Sequence, residues 1–261
     1  MKFENIHSLL TTLKQKKPLV LNITNDVTMD FIANGMLSIG ASPVMSKARE
    51  EMEDLIKISS AVVINLGTLD EEFVRLCEQA ASIANKFNKP LILDPVGAGA
   101  SQYRTENCMR MLEQHKISIV RGNAGEILAL SGTLSATRGV QSLAESDAAI
   151  EGAKYVSKKF EMTILVSGKK DVVVEDERVE IFDRGSKLMP IITGSGCLLS
   201  AVVAAFHAIE PNRFLASAAA AVFYSVCGEV AALQAEGPGT FKAKFLDVLH
   251  LMPEKKWYEK N

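Results

Sequence analysis

Short runs dense in Val, Ile and Leu recur along the first two thirds of the chain: PLVLNI, ASPVM, AVVINL, PLILD, ISIVRG and MTILVSG. Between them lie longer segments whose apolar residues return every three to four positions. The runs, bounded by Gly, Pro, Asn or Asp, predict strands, and the intervening period predicts helices. One helix is expected over Asp70 to Phe87, with Asp70 as N-cap and Phe73, Leu76, Cys77, Ala80 and Ile83 along its buried face. Such alternation needs crossover connections, and hence a mostly parallel sheet covered by helices, an α/β fold.

DVVVEDERVEIF, residues 171–182, departs from this alternation. Two short strands around a charged turn predict an antiparallel hairpin at the sheet edge. Beyond it the chain reads as nearly all helix: Gly194 to Ala208, Pro211 to about Gln234, and about Phe241 to Leu251. The uncharged run Phe214 to Gly228 is shorter than the ~18 residues of a spanning segment and is rich in Ala and Ser, which predicts a buried helix and no membrane partner. The opening MKFENIHSLLTTLKQKK combines helical spacing with charge throughout, unlike a signal peptide, so a cytoplasmic location is expected. With no Pro, Gly and Ser-rich linker and no internal repeat, a single domain over residues 1–261 is expected.

Composition narrows the function classes. At 48% hydrophobic and 23% charged residues the chain is of ordinary globular type. A net charge of -2 argues against nucleic acid as the main partner and leaves a small molecule as the default ligand. Cys77, Cys108, Cys197 and Cys227 show no CxxC spacing, and His7, His115, His207 and His250 show no ligand spacing, which argues against a zinc site or a disulfide framework.

Ligands of open α/β sheets bind beyond the carboxyl ends of the strands. Those positions here carry LNITND, INLG, LDPVGAG, RGNAGE, VSGKKD and ITGSGC. In the last of these, Gly194, Ser195 and Gly196 open a helix whose first N–H groups and positive dipole end suit an anion. Cys197 follows in the first turn, where that field should favour its thiolate; an ordinary turn with a small buried cysteine is the competing reading. Asp94 can hold magnesium against phosphate oxygens, or simply form a turn. Glu126 offers a second carboxylate, or satisfies a helix dipole. Arg121 can donate to phosphate or join a surface ion pair, and Ser167 with Gly168 can set a hydroxyl and bare backbone beside a nucleotide or form an ordinary strand-to-hairpin turn. Asn25 reads as an N-cap, with an edge left for a ligand or none, and Met45 as a soft apolar ligand surface or as plain core.

Taken in order, NITNDVTMDFIANGMLSIGASPVM, LDPVGAG, RGNAGEI, TRGVQS, VSG and TGSGC resemble the hydroxyethylthiazole kinases, a branch of the ribokinase-like fold, over nearly the whole chain. The resemblance implies a three-layer α/β/α sandwich that uses ATP and magnesium to phosphorylate 4-methyl-5-(2-hydroxyethyl)thiazole for thiamine biosynthesis or salvage. It implies that Met45 and Gly194 contact the thiazole with Asn25 and Val27 nearby, that Arg121 and Ser167, with Gly168 beside it, contact ATP, and that Asp94 and Glu126 organise Mg2+. It also implies a homotrimer with thiazole sites at subunit boundaries. Related sugar and vitamin kinases resemble GxGD at the helix start; here Cys197 replaces that aspartate, and the amides of Gly194 to Cys197 would carry the larger electrostatic task. Two departures are Ser167, where many relatives carry Thr, and Gln141, where an acidic residue is common. Three rival readings remain: a hydroxymethylpyrimidine or pyridoxal kinase, a repair dehydratase of hydrated nicotinamide cofactors, and a silent nucleotide-binding protein. The first two favour an aspartate at position 197, and the third predicts loss of Asp94, Glu126 or the glycines.

Overall fold

The structure, a computed structural model, describes residues 3–132 and 143–252. TRGVQS, with Gln141, lies outside them. Six strands alternate with helices as the apolar runs require: β1 (Leu19–Ile23), β2 (Ser42–Met45), β3 (Ala61–Asn65), β4 (Leu91–Asp94), β5 (Ile119–Asn123) and β6 (Thr163–Ser167). The hairpin follows as β7 (Asp171–Glu175) and β8 (Arg178–Phe182). All eight form one sheet in the order β2-β1-β3-β4-β5-β6-β7-β8. Neighbours among β1 to β6 are parallel, and β7 and β8 are antiparallel, with β8 at the edge.

Helices α1 (Phe3–Lys16), α2 (Met29–Ile39), α8 (Ser195–His207), α9 (Arg213–Ala232) and α10 (Pro238–Leu251) share one core with one sheet face. The opposite face packs against α3 (Met52–Ile58), α4 (Glu71–Lys86), α5 (Gln102–Gln114), α6 (Ala124–Leu130) and α7 (Leu143–Phe160). Both sheet faces are therefore covered, and the strands read as continuous apolar runs. Helix α4 is capped as expected, the Asp70 carboxylate accepting the Phe73 N–H at 2.7 Å. Helix α9 is long and apolar enough to cross a membrane, yet 83% of its most apolar stretch is buried within the protein, between the sheet, α8 and α10.

Side-chain alternation places the site. In β3, Ala61 and Val63 face the α8 layer while Val62 and Ile64 face away; in β4, Ile92 faces α8 and Leu93 away. Period two then turns the terminal residues Asn65 and Asp94 toward α8, and Arg121 and Ser167 follow by the same parity in β5 and β6. Parallel register makes Asn65 and Asp94 direct cross-strand partners.

Candidate active site at the strand ends

Helix α8 begins at Gly194, whose φ of +91° lies in the left-handed region. A Cβ there would come within 2.9 Å of Thr28 Cγ2, so glycine is needed for both backbone and space. The helix start is tied down from α9, where the buried Tyr224 hydroxyl donates to the Ser195 carbonyl at 2.7 Å. Gly196 and Cys197 lie in the first turn, where N–H groups have no intrahelical acceptor. A side chain on Gly196 would run into the guanidinium of Arg121. The arginine thus lies against bare backbone at the positive end of the helix, an arrangement that favours an anionic ligand.

The Arg121 guanidinium also donates through Nη2 to the Ser167 hydroxyl, and its Nη1 lies 3.8 Å from Asp94 Oδ2. Asp94 is fully buried. Its Oδ2 accepts from Asn65 Nδ2 at 2.7 Å and from the Ser200 hydroxyl at 2.8 Å, whereas its Oδ1 has no hydrogen-bond partner among the described residues. Burial pushes the Asp94 carboxyl up to about 6; the nearby Arg121 pulls it down, Glu126 raises it, and Ser200 and Asn65 lower it.

Glu126 is the third residue of α6 and completes a capping box with Asn123. Its Oε2 accepts the Asn123 N–H at 2.8 Å and its Oε1 the Gly97 N–H at 2.9 Å, which fastens the DPVG loop to the start of α6. Each oxygen keeps a lone pair for a further donor or for the hydration shell of a cation. An unpartnered buried carboxylate oxygen on Asp94, with a second carboxylate close enough to perturb it, fits a magnesium ion that takes its remaining ligands from phosphate and water. Among the described residues no group of three or more His, Cys, Asp or Glu forms a metal cage.

Two sequence-based expectations are corrected. Asn25 does not cap α2: the N-cap is Thr28, and Asn25 Oδ1 accepts the Thr28 N–H at 3.2 Å, forming a turn before the helix. The freed amide of Asn25 donates to Asn65 Oδ1 at 2.9 Å and to Cys197 Sγ at 3.5 Å. Nor does the helix start favour the thiolate of Cys197. Burial, and then the charge of Asp94, raise its pKa above the ordinary thiol value, outweighing hydrogen bonds from Asn65 and Thr28 and the charge of Arg121. Lost hydration is the largest of these effects.

The remaining candidates divide. Ser167 is buried beside Arg121, whereas the Gly168 N–H is taken by Asp171 Oδ1 at 3.2 Å and is not free for a ligand. Met45 ends β2 half-buried against the α8 core, and Val27 stands 70% exposed. Asn65 lies within the INLG strand end without standing out there, and Ser200 and Arg104 fall outside every motif. Strand parity could have found Asn65, and helical spacing Ser200, three residues after Cys197. Arg104 left no signal: it reaches from α5 to donate to the carbonyls of Leu66, Val96 and Gly67 at 2.8, 3.0 and 2.9 Å, clamping together the loops after β3 and β4. On the opposite side of the sheet, a separate groove of about 610 Å³ between α4 and α5 carries charges that are mostly paired within it, Arg75 with Glu71 and Arg110 with Glu78.

Comparison with known proteins identifies the family and the fold. The model of the hydroxyethylthiazole kinase family matches residues 10–255. A hydroxyethylthiazole kinase of Desulfatibacillum aliphaticivorans is 42% identical over 242 residues, 93% of this chain and 90% of that protein. The solved hydroxyethylthiazole kinase of Pyrococcus horikoshii OT3 superposes with a TM-score of 0.88 at 36% identity, covering 95% of this chain and 93% of that one. A ribokinase-like superfamily protein of Enterococcus faecalis shares the fold, with a TM-score of 0.67 at 15% identity over 95% of this chain and 94% of its own.

Proposed function

Because this chain belongs to the hydroxyethylthiazole kinase family, we propose that it transfers the γ-phosphoryl group of ATP to the hydroxyl of 4-methyl-5-(2-hydroxyethyl)thiazole at the strand ends facing α8. The observation that carries this reading is the convergence on Arg121, which lies against Gly196, bonds Ser167 and approaches Asp94. An anion-binding helix start, a nucleotide-side hydroxyl and a carboxylate with an unpartnered oxygen thereby meet around one cation.

In this reading Arg121 and Ser167 bind the triphosphate, while Gly168, whose N–H is held by Asp171, adds no donor. The amides of Gly194, Ser195, Gly196 and Cys197 hold the charge that spreads over the migrating phosphoryl group. Asp94 and Glu126 would hold Mg2+, which when bound neutralises phosphate charge. Met45, Gly194, Asn25 and Val27 surround the thiazole. Cys197, protonated in the free protein, accepts a hydrogen bond from Asn25 and orients the substrate hydroxyl. A loose transition state asks little of a base before the phosphorus–oxygen bond to ADP has lengthened, which suits a thiol. Exposed Val27 at 70% and Ile191 at 60%, the latter in the segment leading into α8, support a homotrimer that covers this rim. We assign the protein to the cytoplasm, as a single domain.

The test is ADP release with Mg2+ and, in turn, the thiazole alcohol, hydroxymethylpyrimidine, pyridoxal and ribose. Turnover of the first above the others is expected; turnover of another with none on the thiazole alcohol would overturn the assignment. Light scattering tests the assembly, and a fully active monomer refutes the shared site.

A further inference from the structure

Asn65 stands between the two halves of the site, and its amide has only one possible orientation. Its Oδ1 accepts two N–H groups, from Asn25 Nδ2 at 2.9 Å and from the Gly67 backbone at 3.1 Å. Its Nδ2 must therefore face Asp94 Oδ2, 2.7 Å away. Gly67 is the residue that permits this: a Cβ there would fall 2.7 Å from Asn25 Cβ and 2.9 Å from Asn65 Oδ1. The loop is held in place by Arg104, which grips the Leu66 and Gly67 carbonyls. Asn25 and Asn65 are both buried, at 4% and 1% exposure, so water does not compete for these bonds.

The consequence runs in two directions. Toward the nucleotide side, Asn65 and Ser200 together occupy Asp94 Oδ2 and leave Oδ1 as the acceptor without a partner. Toward the acceptor side, Asn65 Oδ1 anchors the amide that also reaches Cys197 Sγ. We infer that Asn65 is a positioning residue for phosphoryl transfer, aligning the Asp94 carboxylate and the Asn25 donor to Cys197 through one directional hydrogen-bond relay. This inference rests on the kinase reading, and it touches neither substrate nor nucleotide directly.

Two variants separate the arms. Asn65→Asp keeps an acceptor toward Asn25 and Gly67 and replaces the donor toward Asp94 by an oxygen. Asn65→Leu removes both arms at nearly constant volume. A buried hydrogen bond to a charged group corresponds to roughly 10- to 100-fold in an equilibrium, and kcat with both substrates saturating is expected to fall by about that factor in both variants. KM for the thiazole alcohol stays within about threefold in Asn65→Asp. A second readout needs no turnover. Iodoacetamide alkylation of Cys197 in the ligand-free protein at fixed pH is expected to run at least about threefold more slowly in folded Asn65→Leu, where both the hydrogen bond of Asn65 itself and the anchored Asn25 donor to sulfur are lost. A kcat for Asn65→Asp within twofold of wild type, or wild-type alkylation in folded Asn65→Leu, overturns the inference. If Asn65→Leu does not fold, Asn65→Asp alone decides through kcat. Wild-type protein that ignores the thiazole alcohol would instead sink the function proposed above, leaving the alkylation result to speak for the relay.

Discussion

Asp94 is expected to destabilise the free protein at neutral pH, and the Asp94→Asn variant measures by how much. In an unfolded chain an aspartate titrates near 3.9. In the fold, burial pushes this one up to about 6. The sign follows from the protonated form being favoured in the native state. Below about pH 4 both states hold the proton and the residue has no pH-dependent cost. Between about pH 4 and 6 the unfolded chain ionises first, and above about pH 6 the cost levels off. A shift of about two units at ~1.4 kcal/mol each sets that plateau at about 3 kcal/mol. Asparagine keeps an acceptor for Asn65 and Ser200 and never ionises. Its advantage over the wild type should therefore widen by about 2 kcal/mol between pH 4.5 and 7.5, whatever constant offset its new amide brings. Titrating groups away from Asp94 occur in both proteins and cancel in the difference. Chemical denaturation of both proteins at the two pH values, without ATP or Mg2+, is the assay, and thermal midpoints should diverge by roughly 4–8 °C over that range. A gap that does not change with pH would refute the claim that Asp94 is held against its tendency to ionise. The variant should also lose turnover, the usual exchange between a strained functional carboxylate and stability.

Three further outcomes follow from the same geometry. Gly196→Ala sets a methyl group against the Arg121 guanidinium and should weaken ADP binding by about 10-fold in calorimetry; because the displaced group is the far end of a flexible side chain, the unfolding midpoint should stay within a few degrees. Native alkylation should modify Cys197 alone, since Cys77, Cys108 and Cys227 have no exposed surface, and with burial raising its pKa the rate should keep climbing with pH past the point where an ordinary thiol levels off, as mass spectrometry of quenched samples would show. Arg104→Ala removes a charged donor from three carbonyls and should lower stability by about 1.5–3 kcal/mol in urea denaturation; wild-type stability would mean the two loops hold without the clamp.

Much of the fold could be read from the sequence because its signals are local. Each apolar run became a strand, the charged DVVVEDERVEIF segment became the edge hairpin, and Asp70 caps α4. Strand-end position also brought Asp94, Arg121 and Ser167 to notice, since a polar residue closing an apolar run must leave the sheet where a ligand can reach it. What escaped depends on contacts across the fold. Asn25 looks like a cap until Asn65, forty positions away, takes its amide. The thiol of Cys197 follows its burial beside Asp94 more than its place on a helix, and no local spacing encodes that environment. Arg104 sits in a charged helix of unremarkable pattern, and its targets are backbone atoms that have no sequence identity at all.

The order in which the layers are supplied has a consequence for biosynthesis. Val20, Ala61, Val63, Ile92, Ile119, Leu165 and Val173 all face the core shared with α8, α9 and α10, yet those helices occupy residues 195–251. A nascent chain that has emerged as far as the hairpin carries one finished flank and one bare flank, greasy across most of its width and screened only by α1 and α2. Such an intermediate is a natural client for chaperones and a seed for aggregation. Translation of the final quarter therefore completes the proposed site and covers the bare flank in a single event, so a ribosome that stalls near residue 190 leaves behind a sticky half-built sheet rather than a weak enzyme.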